Sequence, residues 1–399
     1  MHSSDPVVRP IKYVAPQHVR DAIGSLGLIE DIKFSPSNRR VAIANFNKNR
    51  IFVFESLIGS AENARHIRIT GMTEISSPAL KYPHGLDFID DEKILVANRE
   101  GHLCILELLP GSQGKCELTP LAVISSDEIS TPGSVAVTKR GPDVCEALIC
   151  NNYVHRVTRH EWDLSAGYST KSSEVLLKKW LDVPDGICMS KDRRWIAVSN
   201  HTTHTVLLYE GNSTLDKSTD PVGVLLRTTF PHGLRFTPDG RFILVADAGA
   251  PYVNIYENDD LDWRGVRSPV RSIRVLSNED FLRGRHSRQH GGPKGIDISN
   301  GGDVLVATSE CQPLAFYDLA EILESPTSLK NGGAVSSRWL RNSAALAVSY
   351  ELNTRRITAG IIAALQSALK AIPGLRWAVR KIRVHSRRKF SVATAKPAA

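Results

Sequence analysis

The hydrophobic and polar positions of the chain form a pattern that recurs six times. Each unit opens with a short apolar run, and five of the six runs begin with proline followed by a polar residue or glycine. The opening runs are Ile29–Phe34, Pro83–Phe88, Pro132–Val137, Pro184–Met189, Pro231–Phe236 and Pro293–Ile298. Because self-similarity at a spacing of about fifty residues is typical of repeat architectures, we interpret the chain first as a repeat.

Two further runs follow in every unit. The second run ends in a polar residue, and these endings are Asn45, Asn98, Asn151, Asn200, Asp247 and Thr308. The third run closes on an acid, and a weaker fourth run is visible in most units. The runs are short, rich in β-branched and aromatic residues and bounded by Gly, Pro, Asn and Asp, which predicts strands joined by turns. No alternation of strands with helices is visible.

Four strands per unit and six units predict an all-β fold, a six-bladed β-propeller that spans residues 29–340. A seventh blade fits only in the long interval between Asp247 and Thr308, where an arginine-rich stretch instead favours a loop. The last blade needs an outer strand to close the ring. The candidates are Pro10–Val14, in an N-terminal arm of residues 1–28, and Val335–Trp339.

One unit carries a resemblance to known families. Residues 231–247 (Pro-His-Gly-Leu-Arg-Phe-Thr-Pro-Asp-Gly-Arg-Phe-Ile-Leu-Val-Ala-Asp) with Tyr-Val-Asn-Ile-Tyr at 252–256 resemble the repeat of NHL-type propellers. The pattern is also similar to the gluconolactonase (senescence-marker-like) and seven-bladed lactonase families. The resemblance covers about residues 25–340 and implies the propeller fold, which hosts both binding proteins and hydrolases.

The gluconolactonase resemblance further implies a divalent metal held by a Glu, by the Asn of an Asn-Gly-Leu segment and by a later Asp. Glu30 matches the first of these in kind. His84 or His232 stands where the family has Asn, and Asp185 precedes His232 instead of following it.

The second residue of each opening run forms the column that we expect at one mouth of the central channel. This column consists of Glu30, His84, Gly133, Asp185, His232 and Lys294. In a six-bladed ring the units three apart face each other, so His84 would oppose His232 and Glu30 would oppose Asp185. We expect the five polar members to bind a small ligand or a protein loop at this mouth.

The same residues are candidates for chemistry. Glu30, Asp185, His84 and His232 offer oxygen and nitrogen ligands for one divalent cation, Ca²⁺ or Zn²⁺, and they could equally act as general acids or bases. The structural alternative is that each imidazole satisfies a backbone carbonyl while the following glycine allows close approach. The column of polar endings is interpreted as structural, with each side chain capping the turn that follows it.

The charge is concentrated at the C-terminus. The net charge is +8, yet residues 1–340 carry 38 basic and 41 acidic residues, whereas residues 341–399 carry twelve basic residues and one acid. The latter segment has apolar residues at helical spacing between Ile361 and Ile372, which predicts a basic amphipathic tail with a disordered end. We expect it to contact an anionic membrane surface or a partner through Trp377, Arg376, Arg380, Lys381 and Arg383.

The remaining composition limits the function classes. The six cysteines are scattered and form no Cys-x-x-Cys pair, which argues against a disulfide scaffold and a zinc ribbon and favours a reducing, cytoplasmic location. Nucleic-acid binding is disfavoured because the body is near neutral. The sequence therefore predicts a propeller that binds a ligand, with a metal-dependent, lactonase-like hydrolase as the alternative, and it does not decide whether the protein is an enzyme.

Overall fold

The protein is a six-bladed β-propeller in a computed structural model that describes residues 6–61, 64–212 and 214–324. Six sheets follow one another along the chain, and each inner strand contacts the inner strand of the next blade. The predicted fold class is confirmed. The alternative of seven blades is wrong, because the interval from Asp247 to Thr308 holds the outer half of blade 5, a short helix and a loop.

The strands of each blade are given from the channel outwards. Blade 1 contains Ile29–Phe34, Arg40–Asn45, Arg50–Ala61 and Ala64–Ser76; blade 2 contains Pro83–Asp90, Lys93–Asn98, His102–Glu107 and Ala122–Ile124; blade 3 contains Pro132–Lys139, Val144–Asn151, Arg156–Asp163 and Ser169–Leu177. Blade 4 contains Pro184–Met189, Trp195–Asn200, Thr205–Glu210 and Gly223–Leu225; blade 5 contains Pro231–Phe236, Phe242–Asp247, Tyr252–Glu257 and Arg271–Arg274; blade 6 contains Ile296–Ile298, Val304–Ala307 and Ala315–Asp318.

The core lies between the blades. The fourth residue of each opening run is an aliphatic side chain that is at most 1% exposed; these residues are Ile32, Leu86, Val135, Ile187, Leu234 and Ile296. In five blades the pairing of the inner strand shifts register near its start, between its first residue and its third or fourth. Such a bulge changes the direction in which the following side chains point. It thereby lets the second residue of the strand face the channel while the fourth packs between two sheets.

Glycine follows the channel residue because the blades approach closely there. A Cβ on Gly295 would lie 2.7 Å from the backbone nitrogen of Ile32 in blade 1, and one on Gly233 would lie 2.6 Å from the carbonyl oxygen of Lys294. Real Cβ atoms do not come so near to backbone. The close approach that the sequence suggested for His-Gly and its relatives is therefore present, and it occurs between neighbouring blades.

Aspartates tie neighbouring inner strands together. Asp31 accepts the backbone N–H of Leu86 at 3.2 Å, Asp87 accepts that of Val137 at 2.8 Å, and Asp297 accepts that of Phe34 at 2.7 Å. Each bond joins one blade to the next around the ring. Hydrogen bonds to a charged acceptor are stronger than neutral ones, so these contacts help to fix the radius of the channel.

Two blades lend a strand to their predecessor. Gly114–Glu117, between the third and fourth strands of blade 2, pairs in parallel with the outer strand of blade 1. Gly265–Arg267, at the same place in blade 5, pairs in parallel with the outer strand of blade 4. The two additions lie three blades apart and cover edges that would otherwise be open.

The N-terminal arm crosses the junction between the first and last blades. Val8 donates its N–H to Arg274 in blade 5, Ile11 donates to Phe316 in blade 6 at 2.7 Å, and Tyr13–Val14 pairs in parallel with the outer strand of blade 1. The helix Gln17–Gly24 then buries Val19 and Ile23 against the core between blades 6 and 1.

Two further helices lie after blade 5 and after blade 6. They are Asn278–Arg283 and Leu319–Glu324. The alternative closing strand Val335–Trp339 and the basic tail fall outside the described residues. No helix in the described ranges is long and apolar enough to cross a membrane.

Candidate functional site

The polar members of the predicted channel column lie together and are buried. Glu30, His84, Asp185, His232 and Lys294 belong to five different blades, and each is 5–7% exposed. Each follows the first residue of its opening run, where the inner strands converge on the axis. The fold therefore gathers, from distant parts of the sequence, two carboxylates, two imidazoles and one ammonium group.

Glu30 lies at the centre of this cluster. Lys294 Nζ contacts both of its carboxylate oxygens, at 2.7 and 2.8 Å. On the other side, His84 Nε2 and His232 Nε2 lie 3.5 and 3.4 Å from Glu30 Oε2. Burial by itself would raise the pKa of Glu30, but the positive charge of Lys294 and the contacts with the two histidines hold it well below its usual range. Glu30 is thus ionised at neutral pH.

Asp185 is the second carboxylate. His232 Nε2 lies 3.2 Å from its Oδ2, and Asn152 Nδ2 donates to its Oδ1 at 2.8 Å. His201 Nδ1 lies 3.6 Å from Oδ2. Burial would raise the pKa of Asp185, yet the neighbouring histidines and Arg99 lower it to below its usual range. His232 therefore lies between two ionised carboxylates.

His84 makes the backbone contact that the structural alternative requires. Its Nδ1 lies 2.8 Å from the carbonyl oxygen of Gly133 in the next blade, and its ring stacks on that of His232 with centroids 5.6 Å apart. Burial, together with the charge of Arg99, lowers the pKa of His84 to about 4. A neutral imidazole next to a carbonyl oxygen must carry its proton on Nδ1 and donate it. His84 consequently satisfies the backbone and faces the channel at the same time.

A second ring of side chains contributes to the site, and the sequence analysis missed it. Asn152 and His201 contact Asp185, the ring of Phe46 lies edge-on to His84 with centroids 6.1 Å apart, and Arg99 acts on His84 and Asp185 through its charge. All four directly follow the polar residue that ends the second strand of their blade. The sequence carries the signal for them, because they occupy the same position of four repeats, one residue after the column of polar endings.

That structural column performs a different task from the expected one. The side chains of Asn98, Asn151, Asn200 and Asp247 accept backbone N–H groups of the loop that leads into the inner strand of their own blade. The expected cap on the following turn is also seen, at Asn45, which accepts the N–H of Lys48 at 3.1 Å, and at Asp247, whose Oδ1 accepts the N–H of Gly249 at 3.2 Å. These residues hold the inner strands in place and so position the site indirectly.

One buried polar atom of the site lacks a partner. Asn152 is 1% exposed, and its Oδ1 has no hydrogen bond to any described residue, whereas its Nδ2 is held by Asp185. Because Asp185 Oδ1 can only accept, the amide cannot be rotated without losing this bond. Gly133 leaves the space that the amide oxygen occupies, since a Cβ there would overlap it. The arrangement leaves a buried acceptor without a hydrogen-bond donor among the described residues.

A deeper layer of charge lies further along the channel. The salt bridge between Arg235 and Asp297 measures 2.6 Å, and Lys33 pairs with Asp31. Burial raises the pKa of Asp87 to about 6, although Arg235 and Lys33 act against the shift. These side chains belong to the inner strands. The three carboxylates, Asp31, Asp87 and Asp297, are those that accept a backbone N–H of the next blade. The deeper layer therefore supports the ring.

Comparison with known proteins adds no family to this description. No family model matches the chain, and no curated protein is similar to it at a significant level. The tail residues Trp377, Arg376, Arg380, Lys381 and Arg383 lie outside the described part of the chain. The chain is a six-bladed β-propeller with a buried cluster of carboxylate and imidazole groups on its axis.

Proposed function

We propose that the protein is a binding propeller that takes a small, neutral molecule with several hydroxyl groups at the mouth of its channel. The unpartnered Asn152 Oδ1 carries this proposal. A buried acceptor without a hydrogen bond is costly, and a ligand hydroxyl would satisfy it. Glu30 and Asp185 supply further acceptors, and their negative charges are balanced by Lys294 and Arg99, which suits a neutral ligand.

Aromatic side chains flank the same mouth. The ring of Phe46 packs against His84 and against the partly exposed Tyr82, with centroids 5.2 Å apart in the latter pair. On the opposite side, Phe230 packs against His201 at 5.1 Å. Apolar ring faces around a few fixed polar groups are typical of small-molecule sites. They suit the C–H faces of a polyol or sugar.

The proposal is tested by titrating the full-length protein with glycerol, xylitol and D-glucose in a calorimeter. We expect saturable binding of at least one of them, and Asn152→Leu should weaken it about tenfold, because the acceptor is lost. Asn47→Leu, at an exposed asparagine near the same mouth, is the matched control. If none of the three saturates the protein, or if both variants weaken binding equally, the proposal is wrong.

A lactonase-like hydrolase with a divalent cation is the second candidate, and one observation favours it. The proton of neutral His84 is used on Gly133, so Nε2 presents a lone pair to the ionised Glu30 Oε2 at 3.5 Å. Two acceptors that face each other repel, so a cation or a water molecule that contacts both would stabilise this arrangement. Donor atoms of Glu30, His84 and His232 all lie within 4.8 Å of one another.

The residues fit such an ion in kind. Imidazole nitrogen and carboxylate oxygen together suit Zn²⁺ and related ions, and Asp185 next to His232 offers a fourth ligand. A bound ion would polarise a carbonyl and lower the pKa of a water molecule. Lys294 would help to hold Glu30 in place and would limit the ion to the face of Glu30 that His84 and His232 share.

Elemental analysis of the purified protein tests this candidate. It predicts one divalent ion per chain, which Glu30→Gln and Asp185→Asn should each remove without unfolding the protein. Asp182→Asn, at a half-exposed aspartate three residues from Asp185, should keep the ion. Removal of the ion should also abolish any hydrolysis of D-glucono-1,5-lactone above the spontaneous rate. If the protein binds no metal after incubation with Zn²⁺ or Ca²⁺, the hydrolase candidate is wrong and the binding propeller is the remaining candidate.

A further inference from the structure

A cavity of about 580 Å³ lies where the N-terminal arm crosses blade 6, on the periphery of the propeller. Within the described residues blade 6 has three strands, and the arm is bridged to it through Ile11. A single bridge cannot supply the side chains that a full fourth strand would pack against this edge. The edge is therefore only partly covered, which leaves the space between the arm, blade 6 and the helix Asn278–Arg283.

The floor of this cavity is apolar. It is formed by Val7 and Ile11 of the arm and by Val275, Leu314 and Ala315. Tyr13 forms one wall, and its ring packs edge-on against Phe316 with centroids 5.9 Å apart. A concave apolar surface of this volume is in the range of sites for small organic molecules.

The charge at the edge of the cavity is positive. Lys12 and Arg20 line it, both are exposed, and neither has an ion-pair partner among the described residues. Asp280, the acid that lines the cavity, already interacts with other side chains through both of its oxygens. Its Oδ2 accepts from Ser277 at 2.7 Å, and its Oδ1 is paired with Arg283 at 2.6 Å. Two cations that have no ion-pair partner in the described part of the chain therefore lie over an apolar floor.

We propose that this cavity binds a medium-chain carboxylic acid, with the chain on the apolar floor and the carboxylate between Lys12 and Arg20. Charge complementarity selects the anion, because the uncompensated side chains at the edge are both cationic. The floor selects an aliphatic body, because its burial removes apolar surface from water. This site is separate from the channel mouth and does not depend on the function proposed for it.

A cysteine in the cavity provides the readout. Cys311 lines the cavity and is partly exposed. Cys116 is also partly exposed but lies between blades 1 and 2. Decanoate, added below its micellar concentration, should slow alkylation of Cys311 by iodoacetamide about fivefold at saturation. Alkylation of Cys116 in the same sample should be unchanged. Peptide mass spectrometry follows both rates in the full-length protein.

Charge variants distinguish binding at this site from general electrostatic attraction of decanoate to basic side chains of the arm. Lys12→Gln and Arg20→Gln should each raise the decanoate concentration for half-protection about threefold, and the double variant about tenfold. Arg9→Gln, at an exposed arginine of the same arm outside the cavity, should have no effect. Decyltrimethylammonium, a cation of the same chain length, should not protect Cys311.

Three results would overturn the proposal. They are the absence of saturable protection by decanoate, equal protection of Cys116, and an Arg9→Gln effect as large as that of Arg20→Gln. Protection by the cationic amphiphile at the same concentration would show that the cavity takes any apolar chain, which also contradicts the selection of a carboxylate.

Discussion

Glycine at the third position of the opening runs determines how closely two blades approach. Gly295 shows this clearly, because a methyl group there would lie 2.7 Å from Ile32 N and 2.8 Å from Asp31 Cα. Neither neighbour is the end of a flexible side chain, so the strain could be relieved only by moving blade 6 away from blade 1.

We expect Gly295→Ala to lower the free energy of unfolding by about 1–3 kcal/mol, the usual cost of overpacking a close-packed interface. Gly59→Ala is the matched control, since Gly59 also lies in a strand but has no atom within 4 Å of the added methyl group. Urea unfolding of both variants measures the difference. Equal stability of the two would show that the blades tolerate the wider spacing.

His160 is a buried histidine far from the channel mouth. It is 1% exposed, stacks on Trp162 with centroids 5.7 Å apart, and contacts Thr158 Oγ1 at 3.0 Å. Burial lowers its pKa to about 4. The folded protein therefore keeps this imidazole neutral at pH values where the unfolded chain binds a proton.

The stability contribution of His160 should be complete above about pH 6.5 and should be lost as the pH falls towards 4. Between about pH 7.5 and pH 5 the wild type should lose about 2 kcal/mol more than His160→Gln. The exposed His18, replaced in the same way, is the control for the loss of a histidine. Urea unfolding at both pH values is the measurement, and parallel profiles for wild type and His160→Gln would contradict the assignment.

The chemistry of the channel residues could be predicted from the sequence only in part. Glu30, His84, Asp185, His232 and Lys294 were selected because the same position of a repeat must occupy the same place in a ring. Their individual contacts could not be predicted, because Lys294 turns towards Glu30 instead of the opposite blade. That choice depends on the distances between side chains of different blades, which the repeat pattern does not contain.

At the scale of the elements, most strands follow directly from the pattern of the repeat. The inner strands of blades 1, 4 and 5 have the predicted limits, and those of blades 2 and 3 are two residues longer. The lent strands Gly114–Glu117 and Gly265–Arg267 were not predicted. They are short, their pairing is parallel, and nothing in a four-residue segment identifies a partner forty residues away.

The arm is the element on which closure of the ring depends in the described chain. Its Ile11 N–H is bonded to Phe316 O at 2.7 Å, and a proline at this position could not donate. We expect Ile11→Pro to lower the free energy of unfolding by about 1–3 kcal/mol through the lost bond and the unpaired carbonyl. Arg9→Pro is the control, because Arg9 N–H makes no backbone bond to a described residue. Thermal unfolding compares the two variants. Equal melting temperatures would show that closure of the ring does not depend on the bond between Ile11 and Phe316.

At the scale of the whole molecule, the ring has an approximate two-fold character. Acids occupy the channel position in blades 1 and 4, histidines occupy it in blades 2 and 5, and the lent strands come from blades 2 and 5. Gly133 and Lys294, in blades 3 and 6, break this relationship. The cluster is therefore symmetrical in its carboxylates and imidazoles but carries its ammonium group on one side.

The arm has a consequence for the order in which the protein is made. Val8 and Ile11 leave the ribosome well before their partners Arg274 and Phe316, which follow roughly 270 and 300 residues later. At synthesis rates of about 5–20 residues per second, the arm waits on the order of 15 to 60 seconds before it can pair. Blades can stack as they emerge, whereas the ring can be sealed only when the sixth has been synthesised. Among the described elements, the arm thus leaves the ribosome before every blade that it joins, yet it can reach its final place only after the sixth blade has formed.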